Sequence, residues 1–157
     1  MSMDIDTARE KMLVKLDYGI RTKQYMRDEM RRLKVDIDDA EHIIEQFEEA
    51  GLLNDEYYAK QYVQSVMYKY GAKRILSELI KKGIDKETAQ NAIDSEYNID
   101  TDVLYELIKK RLNNDFDRKN IEKVIRHCIS KGYEYDDIKR NIEEIKMQNG
   151  AETEGEY

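Results

Sequence analysis

Two histidines, one cysteine and recurring groups of lysine, arginine and tyrosine are the side chains here whose types allow chemistry. Neither His42 nor His127 has a partner four residues on that would complete a helical metal pair. His127 falls in the same register as Glu29 and Glu78, so it reads as a surface histidine. Cys128 shares the register of Met30 and Leu79 and reads as a buried structural thiol. A single cysteine excludes a disulfide framework and a cysteine-cluster metal site. There is no glycine loop able to cradle phosphates, so nucleotide hydrolysis by the chain itself is not expected. The 34 carboxylates follow from composition and single out no acid–base pair. The expectation is a non-enzymatic protein without metal or cofactor.

Binding chemistry is better represented, because the charge is banded. Residues 21–34 hold six basic and two acidic groups, and residues 35–58 hold nine acidic and none basic. Residues 59–86 carry seven basic against two acidic groups, 87–106 none against six, and 107–131 eight against three. Arg27, Arg31, Lys73, Arg74, Lys81, Lys82, Lys119 and Lys123 are the candidate binding cations, suited to phosphates or to an acidic protein groove. The acidic bands suit a basic groove on a partner. The same charges also complement helix dipoles, or pair between neighbouring helices, and Arg74 can bridge Glu78 one turn on. Tyr57 and Tyr68 lie off the apolar face and are candidates for stacking on a partner or a base, whereas Tyr58 and Tyr62 read as core.

The elements that position these groups must be helices. The 157 residues contain no proline, where average usage of ~5% gives about eight, and only seven glycines. Twelve tyrosines, two phenylalanines and no tryptophan make the bulky side chains mostly amphipathic. The charged fraction is 39% and the hydrophobic fraction 40%, enough apolar material for a core. No stretch approaches the ~20 apolar residues that cross a bilayer, and the first residues lack a signal-like apolar core. An all-α, cytoplasmic monomer with no membrane contact is expected. Its net charge of −7 weighs against simple coating of DNA.

A repeat of about 49 residues organises the helices. Arg74 to Asp85 reads as an amphipathic helix with apolar Ile75, Leu76, Leu79 and Ile80, stopped by Gly83 in the left-handed position. Met30, Leu79 and Cys128 coincide under the period, as do Val35, Ile84 and Tyr133. In the following helix Ala40, Ala89 and Ile138 coincide, and so do Ile44, Ile93 and Ile142. Asp36 and Asp85 stand where helix N-caps belong, and Thr7 with Glu10 has capping-box spacing. Three copies of a three-helix unit follow, at 1–53, 54–98 and 99–147, with 148–157 as a disordered acidic tail. Packed end to end they would form a curved, elongated solenoid with lengthwise stripes of charge.

The central copy carries a family likeness. Leu52-Leu53-Asn54-Asp55-Glu56-Tyr57-Tyr58-Ala59-Lys60-Gln61-Tyr62-Val63 leads into Gly71-Ala72-Lys73-Arg74-Ile75, then Glu78-Leu79 and Lys82-Gly83-Ile84. This order resembles the central repeat of RecX, the regulatory protein of the bacterial recombinase RecA. The resemblance implies tandem three-helix repeats and a non-enzymatic modulator. Such a protein binds RecA filaments on single-stranded DNA and opposes ATP hydrolysis, strand exchange and SOS induction in DNA repair and recombination. It also makes Arg74, in the Gly-basic-Arg-Ile turn, the best single candidate for partner contact. The alternative is a helical-repeat protein that touches nucleic acid directly, and weakly, through its basic stripe.

Overall fold

The structure is a computed structural model that describes residues 2–98 and 101–154. The described residues form nine α-helices: α1 (Ile5–Asp17), α2 (Lys23–Arg32), α3 (Ile37–Glu49), α4 (Asp55–Val66), α5 (Ala72–Lys81), α6 (Lys86–Glu96), α7 (Thr101–Leu112), α8 (Arg118–Ser130) and α9 (Tyr135–Glu154). One isolated parallel bridge joins Met3 to Val35. The all-α expectation holds. No described helix is long and apolar enough to cross a membrane.

The helix starts follow local chemistry. Asp36 accepts from the Asp38 N–H at 2.8 Å, and Asp85 from the Glu87 N–H at 2.9 Å, so both aspartates cap as their positions suggest. Thr22 caps α2 by accepting from the Tyr25 N–H at 2.9 Å. The first helix departs from expectation: Asp4, not Thr7, is its N-cap and accepts from the Thr7 N–H. A carboxylate three residues earlier reaches the free N–H groups, and Thr7 becomes a first-turn donor to it.

The helix ends repeat with the sequence period. Val35 N–H donates to Met30 O, Ile84 N–H to Leu79 O and Tyr133 N–H to Cys128 O, at 2.9, 3.1 and 3.2 Å. Each bond spans a residue of positive φ: Lys34 at 60°, Gly83 at 86° and Gly132 at 97°. The left-handed C′ position therefore recurs at a spacing of 49, and in the first instance a lysine tolerates it without glycine's freedom.

Packing divides the chain into two compact units, Met1–Gln64 with Leu76–Glu96, and Ser65–Ile75 with Tyr97–Tyr157. This division passes through α4 and α5, whereas the sequence period cuts at 53/54 and 98/99; contact and repetition partition the chain differently. Residues 99 and 100, next to the second of those cuts, lie outside the described residues, as do 155–157 of the expected tail. Helix α9 runs to Glu154, so most of the segment expected to be disordered continues the last helix, and the Tyr105 hydroxyl donates to Gln148.

In the first unit α1, α2 and α3 enclose Met12, Met26, Met30, Ile43, Ile44 and Phe47. In the second, α7, α8 and α9 enclose Leu104, Ile108, Leu112, Val124, Cys128, Ile138 and Ile142. Each fully buried side chain of this size contributes about 1.5–3 kcal/mol. All twelve positions aligned by the period, from Tyr133 at 9% exposure to Met30, Leu79 and Cys128 at 0%, are buried.

A joint of one design occurs in both units. In the first, Thr22 Oγ1, at the start of α2, donates to Lys82 O at the end of α5, 3.3 Å away. In the second, the Gly71 N–H, at the start of α5, donates to Lys131 O at the end of α8, 2.7 Å away. Thr22 and Gly71 are 49 residues apart, as are Lys82 and Lys131. In each joint a donor at one helix start, the Thr22 hydroxyl or the Gly71 N–H, meets a carbonyl at another helix end, where opposing partial charges lie in contact. The second joint is so close that a Cβ on Gly71 would overlap the Gly132 carbonyl and lie 2.6 Å from Tyr133 N.

Candidate partner-binding surface

The joints place the middle helices α2, α5 and α8, and those helices carry the candidate cations. In the first unit, Arg27 on α2 reaches across to Glu41 on α3, Nε to Oε1 2.6 Å and Nη2 to Oε2 3.3 Å. The hydrogen bond from this guanidinium holds the Glu41 carboxyl below its usual range, and the same bond raises Arg27. Arg31 bridges Asp28 at 3.2 Å and Lys81 bridges Glu78 at 3.5 Å, each along its own helix. Lys82 has another kind of neighbour: its Nζ lies 5.4 Å from the centre of the Tyr62 ring. Tyr57 stands 52% exposed on α4.

In the second unit Lys73 pairs with Glu134 at 3.0 Å. Arg74 does not bridge Glu78. Its Cζ lies over the Tyr70 ring, 3.9 Å from the ring centre, and Nη1 donates to Ser130 O at 3.4 Å. Its Cβ and backbone N also border Gly132, since a Cβ added there would lie 2.5 Å from each. Arg74 is therefore partly structural. Tyr68 is 62% exposed. Lys119 and Lys123, on α8, are exposed and have no carboxylate within ion-pair distance among the described residues.

The candidate residues thus separate by partner. Arg27, Arg31, Lys73 and Lys81 are held by carboxylates of the same unit, so much of the banding is internal pairing. Exposed pairs of this kind contribute about 0.2–1 kcal/mol. Arg74 and Lys82 lie against aromatic rings instead, with no carboxylate within ion-pair distance among the described residues. Sequence reasoning passed over two cations beside aromatic rings: Arg21 stacks on Tyr25 at 4.6 Å, and Lys131 lies 5.7 Å from the Tyr70 ring centre. The signal was present as aromatic–basic pairs four apart at the starts of α2 and α5, Arg21 with Tyr25 and Tyr70 with Arg74. Tyr58 and Tyr62, expected in the core, are half-buried: Tyr58 lines a surface cleft with Lys82, and the Lys82 Nζ lies beside the Tyr62 ring.

Other candidate chemistry is structural. Cys128 is fully buried, and burial pushes its thiol up to about 11. His127 corrects the expectation of a surface histidine. It is half-buried, its Nε2 is enclosed without a hydrogen-bond partner, and burial, with Arg111 and Lys131 nearby, holds its pKa below the usual histidine value. Glu29 and Glu78, in its register, escape this because their carboxylates reach Arg32 and Lys81. No group of three His, Cys, Asp or Glu side chains among the described residues is placed to hold a metal ion.

The comparisons with known proteins agree with this architecture. The family model for the second three-helix domain of RecX matches residues 54–93, which take in α4, α5 and most of α6. Regulatory protein RecX of Clostridium perfringens strain 13 is 31% identical over 125 residues, covering 74% of this chain and 58% of that protein. Regulatory protein RecX of Clostridium botulinum strain Eklund 17B is 28% identical over 144 residues, covering 87% and 67%. The chain thus spans about 58–67% of the length of these curated relatives. The crystal structure of RecX from Lactobacillus salivarius superimposes with a TM-score of 0.82 at 30% identity, over 91% of this chain and 97% of that one. With that identity over nearly the whole of a solved RecX, and with the central motif folded as α4, α5 and α6, the chain belongs to the RecX family.

Proposed function

We propose that this protein is a non-catalytic regulator that binds the RecA filament on single-stranded DNA and restrains ATP hydrolysis, strand exchange and SOS induction. The relatives named regulatory protein RecX support a regulatory role. The observation that carries the reading furthest is the folded central motif, in which the Gly71 turn and the Gly83 stop both sit in close-packed helix joints. Within each unit the joint fixes its helices closely, and charges held on fixed helices meet a partner at low entropic cost. Basic and acidic bands alternate along the sequence, which suits a nucleoprotein partner that displays both signs. Such matching mainly sets on-rate and specificity. Binding that favours one filament state, or that occupies a growing end, shifts the population of active filament. The protein acts in this reading as a cytoplasmic monomer, with no chemistry of its own.

Titration into RecA, single-stranded DNA and ATP tests it. Hydrolysis and mean filament length should both fall with added protein, and their constancy at saturation contradicts the reading.

A further inference from the structure

Each unit contains a cleft beside its helix joint, and the two clefts correspond through the repeat. The first, about 210 Å³, is walled by Arg21, Tyr25, Tyr58, Lys82 and the Asp28 carboxylate. The second, about 300 Å³, is walled by Tyr68, Lys69, Tyr70, Leu107 and Lys131. Arg21, Tyr58 and Lys82 fall on Tyr70, Leu107 and Lys131 at a spacing of 49. The stacked pair is kept while its order is reversed: Arg21 lies on Tyr25 in the first, and Arg74 lies on Tyr70 in the second. In both clefts a lysine from the end of the next middle helix completes the group, Lys82 or Lys131.

Charge distinguishes these groups from the rest of the surface. Arg21, Lys69, Arg74, Lys82 and Lys131 have no carboxylate within 4.0 Å among the described residues, while Arg27, Arg31, Lys73 and Lys81 all do. Among the described residues, no carboxylate lines the second cleft. The first has Asp28, already engaged by Arg31 and by Gln24. Unpaired cations beside tyrosine faces have two uses, neutralising an anion and stacking on a flat ring. Tyr68, more than half exposed at the mouth of the second cleft, offers such a face.

The geometry points to the two clefts as equivalent sites for single-stranded nucleic acid, each taking a phosphate between its unpaired cations and a base against its tyrosines. A ligand that repeats its anion along a chain matches a site that repeats within a protein. A strand with unstacked bases uses the tyrosines as well as the cations; an acidic peptide uses the cations alone. The second cleft, with no carboxylate among its described lining residues and two lysines beside its tyrosines, is the stronger site. This inference does not rest on the recombinase reading, because it concerns bare nucleic acid.

The test is fluorescence anisotropy of labelled oligothymidylate with the full chain and no recombinase, over a series of salt concentrations. With a log–log slope of about 0.7 per single-strand phosphate, each cation contributes about fivefold in affinity at about 0.1 M salt. Lys69→Gln with Lys131→Gln should therefore weaken binding by about 25-fold and flatten the salt slope by about 1.4. Lys82→Gln should weaken it by fivefold at most. Tyr68→Ala should weaken binding with the slope unchanged, and its exposure keeps the variant folded. Lys11→Gln, at an exposed unpaired lysine on α1 outside both clefts, should leave affinity within twofold of the parent. The proposal is overturned by absence of binding at about 50 mM salt, by polyglutamate competing as well as the oligonucleotide per unit charge, or by Lys11→Gln matching Lys131→Gln.

Discussion

Replacing Gly71 by alanine tests the helix joint of the second unit with a single methyl group. The new Cβ would meet the Gly132 carbonyl group and Tyr133 N, all backbone, so no side chain can swing aside to admit it. Overpacking of this kind costs about 1–3 kcal/mol and occasionally more. Separation of the two segments also weakens the bond from the Gly71 N–H to Lys131 O, 2.7 Å long and worth about 1 kcal/mol. Against this, alanine stiffens the unfolded chain and returns about 0.4–1 kcal/mol. The expected net loss is about 2–3 kcal/mol, which for a chain of this size lowers Tm by about 4–12 °C. Gly51→Ala is the comparison. Gly51 has φ of 74° but nothing within 4 Å of its added Cβ, so it bears only the left-handed strain, about 1–2 kcal/mol. Melting followed by circular dichroism, with both variants at equal concentration, decides the matter. A smaller shift for Gly71→Ala than for Gly51→Ala would refute the close joint. Gly132→Ala combines φ of 97° with contacts to Arg74 and should cost at least as much; joined with Gly71→Ala it should be less than additive, because both variants strain one contact.

Alkaline stability offers a second check. Burial raises the Cys128 thiol to about 11 and the Tyr97 hydroxyl to about 12. Both stay protonated in the folded chain at pH values where the unfolded chain ionises, so their contribution is full below the unfolded pKa. It is lost as pH rises towards the folded pKa, at up to about 1.4 kcal/mol per pH unit for each group. Denaturant titrations from pH 8 to 11 should show this fall, and Cys128→Ala should remove the thiol's part of it. At the acid end, Glu41 and Glu29 sit below their usual range because Arg27 and Arg32 donate to them, so their stabilisation is present above the ordinary carboxyl pKa and fades as pH drops through the folded value. Arg27→Gln should cost about 0.2–1 kcal/mol at pH 7, a difference that closes at low pH when Tm is followed against pH. Arg74→Glu should weaken inhibition of the recombinase and also lower stability by about 0.5–1 kcal/mol, since the stack on Tyr70 is lost; equal inhibition by variant and parent in the ATPase assay contradicts a binding role.

How much of this was readable in advance depended on the type of information. The apolar register was readable, because burial at Met30, Leu79 and Cys128 is set by helical spacing that the sequence displays directly. Lys34 was harder, since a left-handed C′ residue is normally announced by glycine, and here the Val35 contact with Met30 O holds the turn instead. Asp4 and Thr7 are both good caps by type; only the geometry showed which one the helix uses. The cations were the least legible. Whether Lys73 finds Glu134, or Arg74 finds Tyr70, depends on tertiary neighbours about 60 or as few as four residues away in the chain, and the bands of charge treat the two residues alike. His127 shows the same limit, because a register shared with two glutamates carried no information about a ring too short to reach a partner.

Steady-state ATP hydrolysis by RecA on single-stranded DNA, measured while this protein is titrated in, bears most directly on its role. A dose-dependent decline, with shorter filaments in the same samples by electron microscopy, is the expected result. A flat hydrolysis rate with filaments of undiminished length, at protein concentrations well above that of the recombinase, would contradict it.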